Sequence, residues 1–106
     1  MRLAAGLGVA LPALASSAAQ TATALKILAA IYGTPATHHT CDATATIARG
    51  CDGKDVCDVL AGNWLCGDPD YQVPKTLTVV FTCGPAEARS VSAAEASVAH
   101  LSCGAA

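Results

Sequence analysis

Six cysteines, all lying between Cys41 and Cys103, constrain this chain more than any other feature. An even cysteine count in a short exported chain reads as a disulfide framework. Such a framework is needed here. The chain has 106 residues, which points to one small domain, and small domains bury a modest fraction of their surface and often depend on covalent staples. The hydrophobic fraction of 53% overstates the core, because 24 of those residues are alanine and the aromatic complement is one Trp, one Phe and two Tyr. Six cysteines allow 15 complete pairings, and spacing alone does not choose among them. A metal centre is the poorer reading: Cys51 and Cys57 are six apart, there is no CxxC pair, and the adjacent His38 and His39 suit a polar loop better than two convergent ligands.

The first twenty residues, MRLAAGLGVALPALASSAAQ, have the order of an export signal. Arg2 supplies the positive start, Leu3 to Ala15 an apolar run too short to span a bilayer, and small residues suit cleavage near Ala19. We therefore expect a signal peptide over 1–19 and a secreted or periplasmic mature chain. Removing Arg2 leaves five Lys and Arg against eight Asp and Glu, a net charge of −3. No basic patch points to nucleic acid or an anionic membrane.

Along the mature chain, LKILAAIYG (25–33) reads as a strand entering a turn, and TPATHHT (34–40) as loop. CDATATIARG (41–50) has Asp42 placed to cap a short helix and Gly50 to end it. KTLTVVFTC (75–83) is the clearest element, since Leu77, Val79, Phe81 and Cys83 alternate with smaller or polar residues at the period of a half-buried strand. RSVSAAEASVAHLSC (89–103) fits either a helix or a pair of strands.

Enzymatic signatures are missing. There is no nucleophile elbow, phosphate loop or HExxH, and no histidine has a triad context. Asp68 and Asp70 are a candidate carboxylate pair for glycoside hydrolysis, but Asp-x-Asp in a polar loop is usually turn chemistry. Asp52, Asp55 and Asp58 do not match a calcium loop. A metal-independent, cofactor-free sugar-binding module fits better. A carboxylate accepts hydrogen bonds from sugar hydroxyls, an ammonium donates to them, and an aromatic ring packs on the apolar C–H face. Asp68, Lys75 and Tyr32 have the right chemistry. Trp64 is expected in the core rather than as a stacking platform.

Three motifs in order bear on this. They are AIYGT (30–34), CDGKDVC (51–57) and GDPDYQVPKTLTVVFTC (67–83). Together the span from Ile27 to Cys83 resembles the rhamnose- and galactose-binding lectin domain first known from sea-urchin eggs. The chain departs from that family at Thr34, where the family has Arg, at Asp70, where it has Cys, and at Gln72 and Val73, where it has Gly-Thr. The family's first strand, with two cysteines and a glutamate, has no counterpart before Leu25. The resemblance implies sugar contacts from Tyr32, Asp68 and Lys75, and no catalysis.

The missing strand has a counterpart in the tail. EASVAHLSC (95–103) repeats the family's eight-residue spacing from glutamate to cysteine. The resemblance then implies that 95–103 folds back into the vacant first-strand position across a linker at 84–94, bringing Glu95 to the sugar site. It implies the bridges Cys83–Cys103 and Cys51–Cys57, and with them Cys41–Cys66. A truncated second repeat or a helix over 93–101 are the competing readings of the tail. The expected fold is α+β and β-rich: a small, disulfide-stapled antiparallel β-sandwich with one or two short helices, forming a single lectin-like domain over 20–106 with its core at 25–83. The expected function is binding of L-rhamnose or D-galactose type glycans. The alternative is a secreted structural or protein-interaction module on the same scaffold.

Overall fold

The computed structural model describes residues 24–103; the expected signal peptide, 1–19, lies outside them. The fold is α+β and β-rich, with antiparallel pairing throughout. The strands are β1 (Leu25–Thr34), β2 (His39–Asp42), β3 (Val56–Leu60), β4 (Thr76–Cys83), β5 (Arg89–Ala94) and β6 (Val98–Ser102). One helix, α1 (Thr44–Cys51), follows β2, and a single 3-10 turn occupies Pro35–Thr37. A four-stranded sheet has the order β2-β1-β4-β5, and β3 pairs with β6 in a two-stranded second sheet.

The alternation of β4 sends Leu77, Val79, Phe81 and Cys83 inward, as their spacing predicts. In β1 the alternation is broken. A register shift between Ile27 and Ala29 lets Leu25 and Ile27 face the core in the first half and Ala30 and Tyr32 in the second. The shift is a β-bulge, which adds one residue and changes which side chains point inward. Val59 from β3, Ala99 and Leu101 from β6, and Ile47 and Cys51 from α1 close the core. Each fully buried Leu, Val, Ile or Phe contributes about 1.5–3 kcal/mol relative to exposure.

All six cysteines are paired: Cys41–Cys66, Cys51–Cys57 and Cys83–Cys103. These are the bridges that the family resemblance implies. Cys83–Cys103 joins the end of β4 in the larger sheet to the residue after β6 in the smaller one.

Several local expectations need correction. The loop expected over 34–40 contains the start of β2. Its residues are mostly exposed, so no apolar alternation reveals it, and it is recruited by backbone pairing to β1. Gly33 makes that pairing possible: it sits at φ +147, and a Cβ there would lie 2.3 Å from the His39 carbonyl oxygen. The helix starts at Thr44, one residue later than a cap at Asp42 places it, and Gly50 lies inside it rather than ending it. Asp42 still serves the helix start, its Oδ1 accepting from the Thr44 amide at 2.8 Å. The linker expected over 84–94 is confined to its first five residues, because Arg89–Ala94 forms β5 on the edge of β4. The tail takes the pair-of-strands reading of 89–103, in place of a helix or a single returning strand. It is two strands joined by a turn at Ala94–Ser97, in which the Ser97 amide donates to the Ala94 carbonyl at 2.9 Å. That turn carries the chain from one sheet to the other. Trp64 is 59% exposed rather than core. Its indole N–H donates to the Leu60 carbonyl at 2.8 Å, and the ring crosses Gly62, where a Cβ would come within 3.2 Å of it.

Candidate functional site

The loop from Gly67 to Lys75 and the Ala94–Ser97 turn face one another across Lys75. The two segments are built alike. Asp70–Val73 closes with the Val73 amide on the Asp70 carbonyl at 3.1 Å, and Ala94–Ser97 closes in the same way. In each, only the third residue has positive φ, Gln72 at 63° and Ala96 at 75°, which is the type II pattern. The second residue of each turn is therefore held at the tip. Those residues are Tyr71 and Glu95.

Lys75 sits between them, 3% exposed. Its ammonium lies 2.9 Å from Asp68 Oδ1 and 3.4 Å from Glu95 Oε1, and it donates to the carbonyls of Val73 at 2.8 Å and Asp70 at 3.1 Å. An unpaired buried charge would be costly, and this one is paired twice. The hydrogen bond to Asp68, aided by Glu95, holds the Lys75 ammonium above its ordinary pKa against the opposing effect of burial. Glu95 is also tied to the backbone around Lys75: its Oε1 accepts from the Lys75 amide at 3.1 Å, and its own amide donates to the Lys75 carbonyl at 2.8 Å.

Above this cluster is an open cleft of about 540 Å3, lined by Asn63, Asp68, Tyr71, Gln72, Lys75 and Glu95 among others. Three of the four expected site residues, Asp68, Lys75 and Glu95, meet there. The fourth does not line it. Tyr32 is fully buried on β1, and its hydroxyl donates to Asn63 Oδ1 at 2.8 Å. Tyr32 thus orients the Asn63 amide, leaving the Nδ2 donor to the cleft. Burial first, and then the negative charge of Glu95, raise the Tyr32 pKa; Lys75 opposes the shift and Asp68 adds to it. The Asp68–Asp70 carboxylate pair does not form: Asp68 turns to Lys75, while Asp70 Oδ2 lies 3.4 Å from His39 Nδ1 on β2. Thr34 has its Oγ1 buried with no hydrogen-bond partner among the described residues.

Sequence reasoning missed Tyr71, Asn63 and Gln72. Tyr71 is 75% exposed on the cleft wall. An aromatic in a run of turn-forming residues was its only available signal. Asn63 could be found only by knowing where Tyr32 ends.

No family model, curated protein or solved structure matches the chain.

Among the described residues, no group of three or more His, Cys, Asp or Glu is placed to hold a metal ion, and no helix is long and apolar enough to cross a membrane.

Proposed function

We propose that the protein is an exported, metal-independent carbohydrate-binding domain that takes galactose- or rhamnose-type sugars and catalyses no reaction. The observation that carries the reading is the buried Lys75 ammonium, which holds the carboxylates of Asp68 and Glu95 at the floor of an open cleft walled by an exposed tyrosine. Vicinal hydroxyls need paired acceptors, and a sugar's C–H face needs an exposed ring. Asn63 Nδ2 adds a neutral donor. The three disulfides support an oxidising destination. In this reading Lys75 organises the acceptors rather than donating to the sugar, and Tyr32 acts through Asn63.

A shallow site of this kind buries few ligand atoms, so a single site binds at high micromolar to millimolar Kd, about −4 to −6 kcal/mol. Useful retention on a glycan surface then requires several copies. The test is titration of galactose and rhamnose into wild type and Asp68→Asn by calorimetry or ligand-observed NMR. Loss of the charge-assisted acceptor should weaken binding by about 1.5–3 kcal/mol. Equal binding by the two proteins would remove Asp68 from the site. Absence of binding by wild type would favour a protein-interaction module, for which the exposed Leu60, Trp64 and Val98, together with Leu28, Ile31 and Val56, offer apolar surface.

A further inference from the structure

The charge state of the cleft narrows the kind of sugar it can hold. An ammonium has three protons to donate. Those of Lys75 are taken by Asp68 Oδ1, the Val73 carbonyl and the Asp70 carbonyl, with Glu95 Oε1 close by as a fourth acceptor. The cation therefore has nothing left for a ligand. Both carboxylates, by contrast, are reachable, with side chains 30% and 33% exposed. Asp68 Oδ2 and Glu95 Oε2 have no partner among the described residues. One ammonium against two carboxylates leaves a formal charge of −1, and no other charged residue among the described ones lines the cleft. The remaining cleft residues offer an amide donor on Asn63 and the exposed ring of Tyr71, which attracts a cation as readily as a C–H face.

We propose that the cleft selects an amino sugar, a hexose bearing a free protonated amine beside a hydroxyl, over the corresponding neutral hexose. This rests on the carbohydrate-binding reading above. The ammonium and its neighbouring hydroxyl would donate to the free oxygens of Asp68 and Glu95, neutralising the excess charge, with the ring against Tyr71. Acidic sugars would be repelled by the same two groups. The elevated Tyr32 pKa is consistent with this field: after burial, the charge of Glu95 outweighs that of Lys75, and Asp68 acts in the same direction as Glu95.

The test titrates four ligands into the oxidised full-length protein: galactose, galactosamine, N-acetylgalactosamine and galacturonic acid. Methylammonium serves as a fifth. A hydroxyl already makes a charge-assisted bond to these carboxylates, and the ammonium adds the attraction of an ion pair, so galactosamine should bind about tenfold more tightly than galactose. N-acetylgalactosamine should show no such gain, and galacturonic acid should bind most weakly. The advantage should shrink in high salt and in Glu95→Gln, which keeps an acceptor but removes the charge. It should vanish at a pH above the amine's own pKa but below the lysine range, where Lys75 remains charged. If galactose and galactosamine bind equally, or the acetylated sugar matches the free amine, the selectivity is overturned while sugar binding stands. If methylammonium alone matches galactosamine, or no sugar binds, the carbohydrate reading falls with it.

Discussion

Replacing Cys83 and Cys103 together with alanine tests how far this small domain depends on its staples. The bridge closes a loop with a sequence separation of 20. Of the other two bridges, Cys51–Cys57 lies inside the Cys41–Cys66 loop, and neither overlaps the loop closed by Cys83–Cys103. Neither shortens it in the unfolded chain, so its full length counts. The chain-entropy relation for a loop of this length gives about 3.3 kcal/mol at 25 °C. Domains of this size shift by about 4–8 °C per kcal/mol, which predicts a drop in Tm of about 13–26 °C. Such a loss is a large part of the stability that small domains have, about 5–15 kcal/mol. Chemical denaturation of wild type and the double variant, with the other two bridges verified by non-reducing peptide mapping, measures the difference. A loss under about 1 kcal/mol would refute the reasoning, because it would mean that the β3–β6 pairing alone restricts the tail in the denatured ensemble as much as the covalent link does.

Stability should also fall in alkali. The pKa values of Lys75 and Tyr32 are both raised above their ordinary 10.5 and 10.0 in the folded protein. The stabilisation is fully present below those ordinary values and is lost as pH rises through the folded ones. Urea midpoints measured across that range should stay flat and then decline, and Tyr32→Phe should remove part of the decline; a midpoint that rises in alkali would contradict the sign. Gly33→Ala should destabilise by about 1–3 kcal/mol from backbone conformation alone, with more from the overlap with the His39 carbonyl. A change within about 0.5 kcal/mol would mean that β1 and β2 separate freely. Sugar binding should survive EDTA unchanged; a loss restored by calcium would return attention to Asp52, Asp55 and Asp58.

Much of the scaffold was legible because its signals are local. The alternation of β4 and the apolar run of β1 are read from side chains that must be buried. The short strands were not legible. The exposed residues of β2 carry no pattern, and β3 and β6 each bury only one or two side chains, so backbone pairing rather than composition defines them. The Ala-rich tail was ambiguous for the same reason: Ala93 and Ala99 suit a helix or a strand, and the positive φ at Ala96 that separates β5 from β6 is not a preference alanine advertises. At the site, Asp68 and Lys75 were legible from their chemistry and, with Glu95, from the family resemblance, whereas the burial of Tyr32 and the exposure of Tyr71 and Trp64 were not. A tyrosine on a strand can face either side, and the β1 bulge decides which.

The pairing of β3 with β6 has a consequence for the order of events at the ribosome. Among the described residues, Val56–Leu60 finds its only sheet partner in Val98–Ser102, the final described strand. While the intervening residues are still being made, β3 has no ladder, and the inner faces of β1 and β4 lack the part of their cover that β6 supplies. The Ala94–Ser97 turn that presents Glu95 to Lys75 is secured on one side by β5 and on the other by this last strand. The Cys41–Cys66 and Cys51–Cys57 bridges can close on a partly emerged chain, but the larger sheet gains the last of its cover, and the cleft its second carboxylate, only after translation has passed Ser102. In an oxidising compartment, a chain short of that point carries two of its bridges and no complete site.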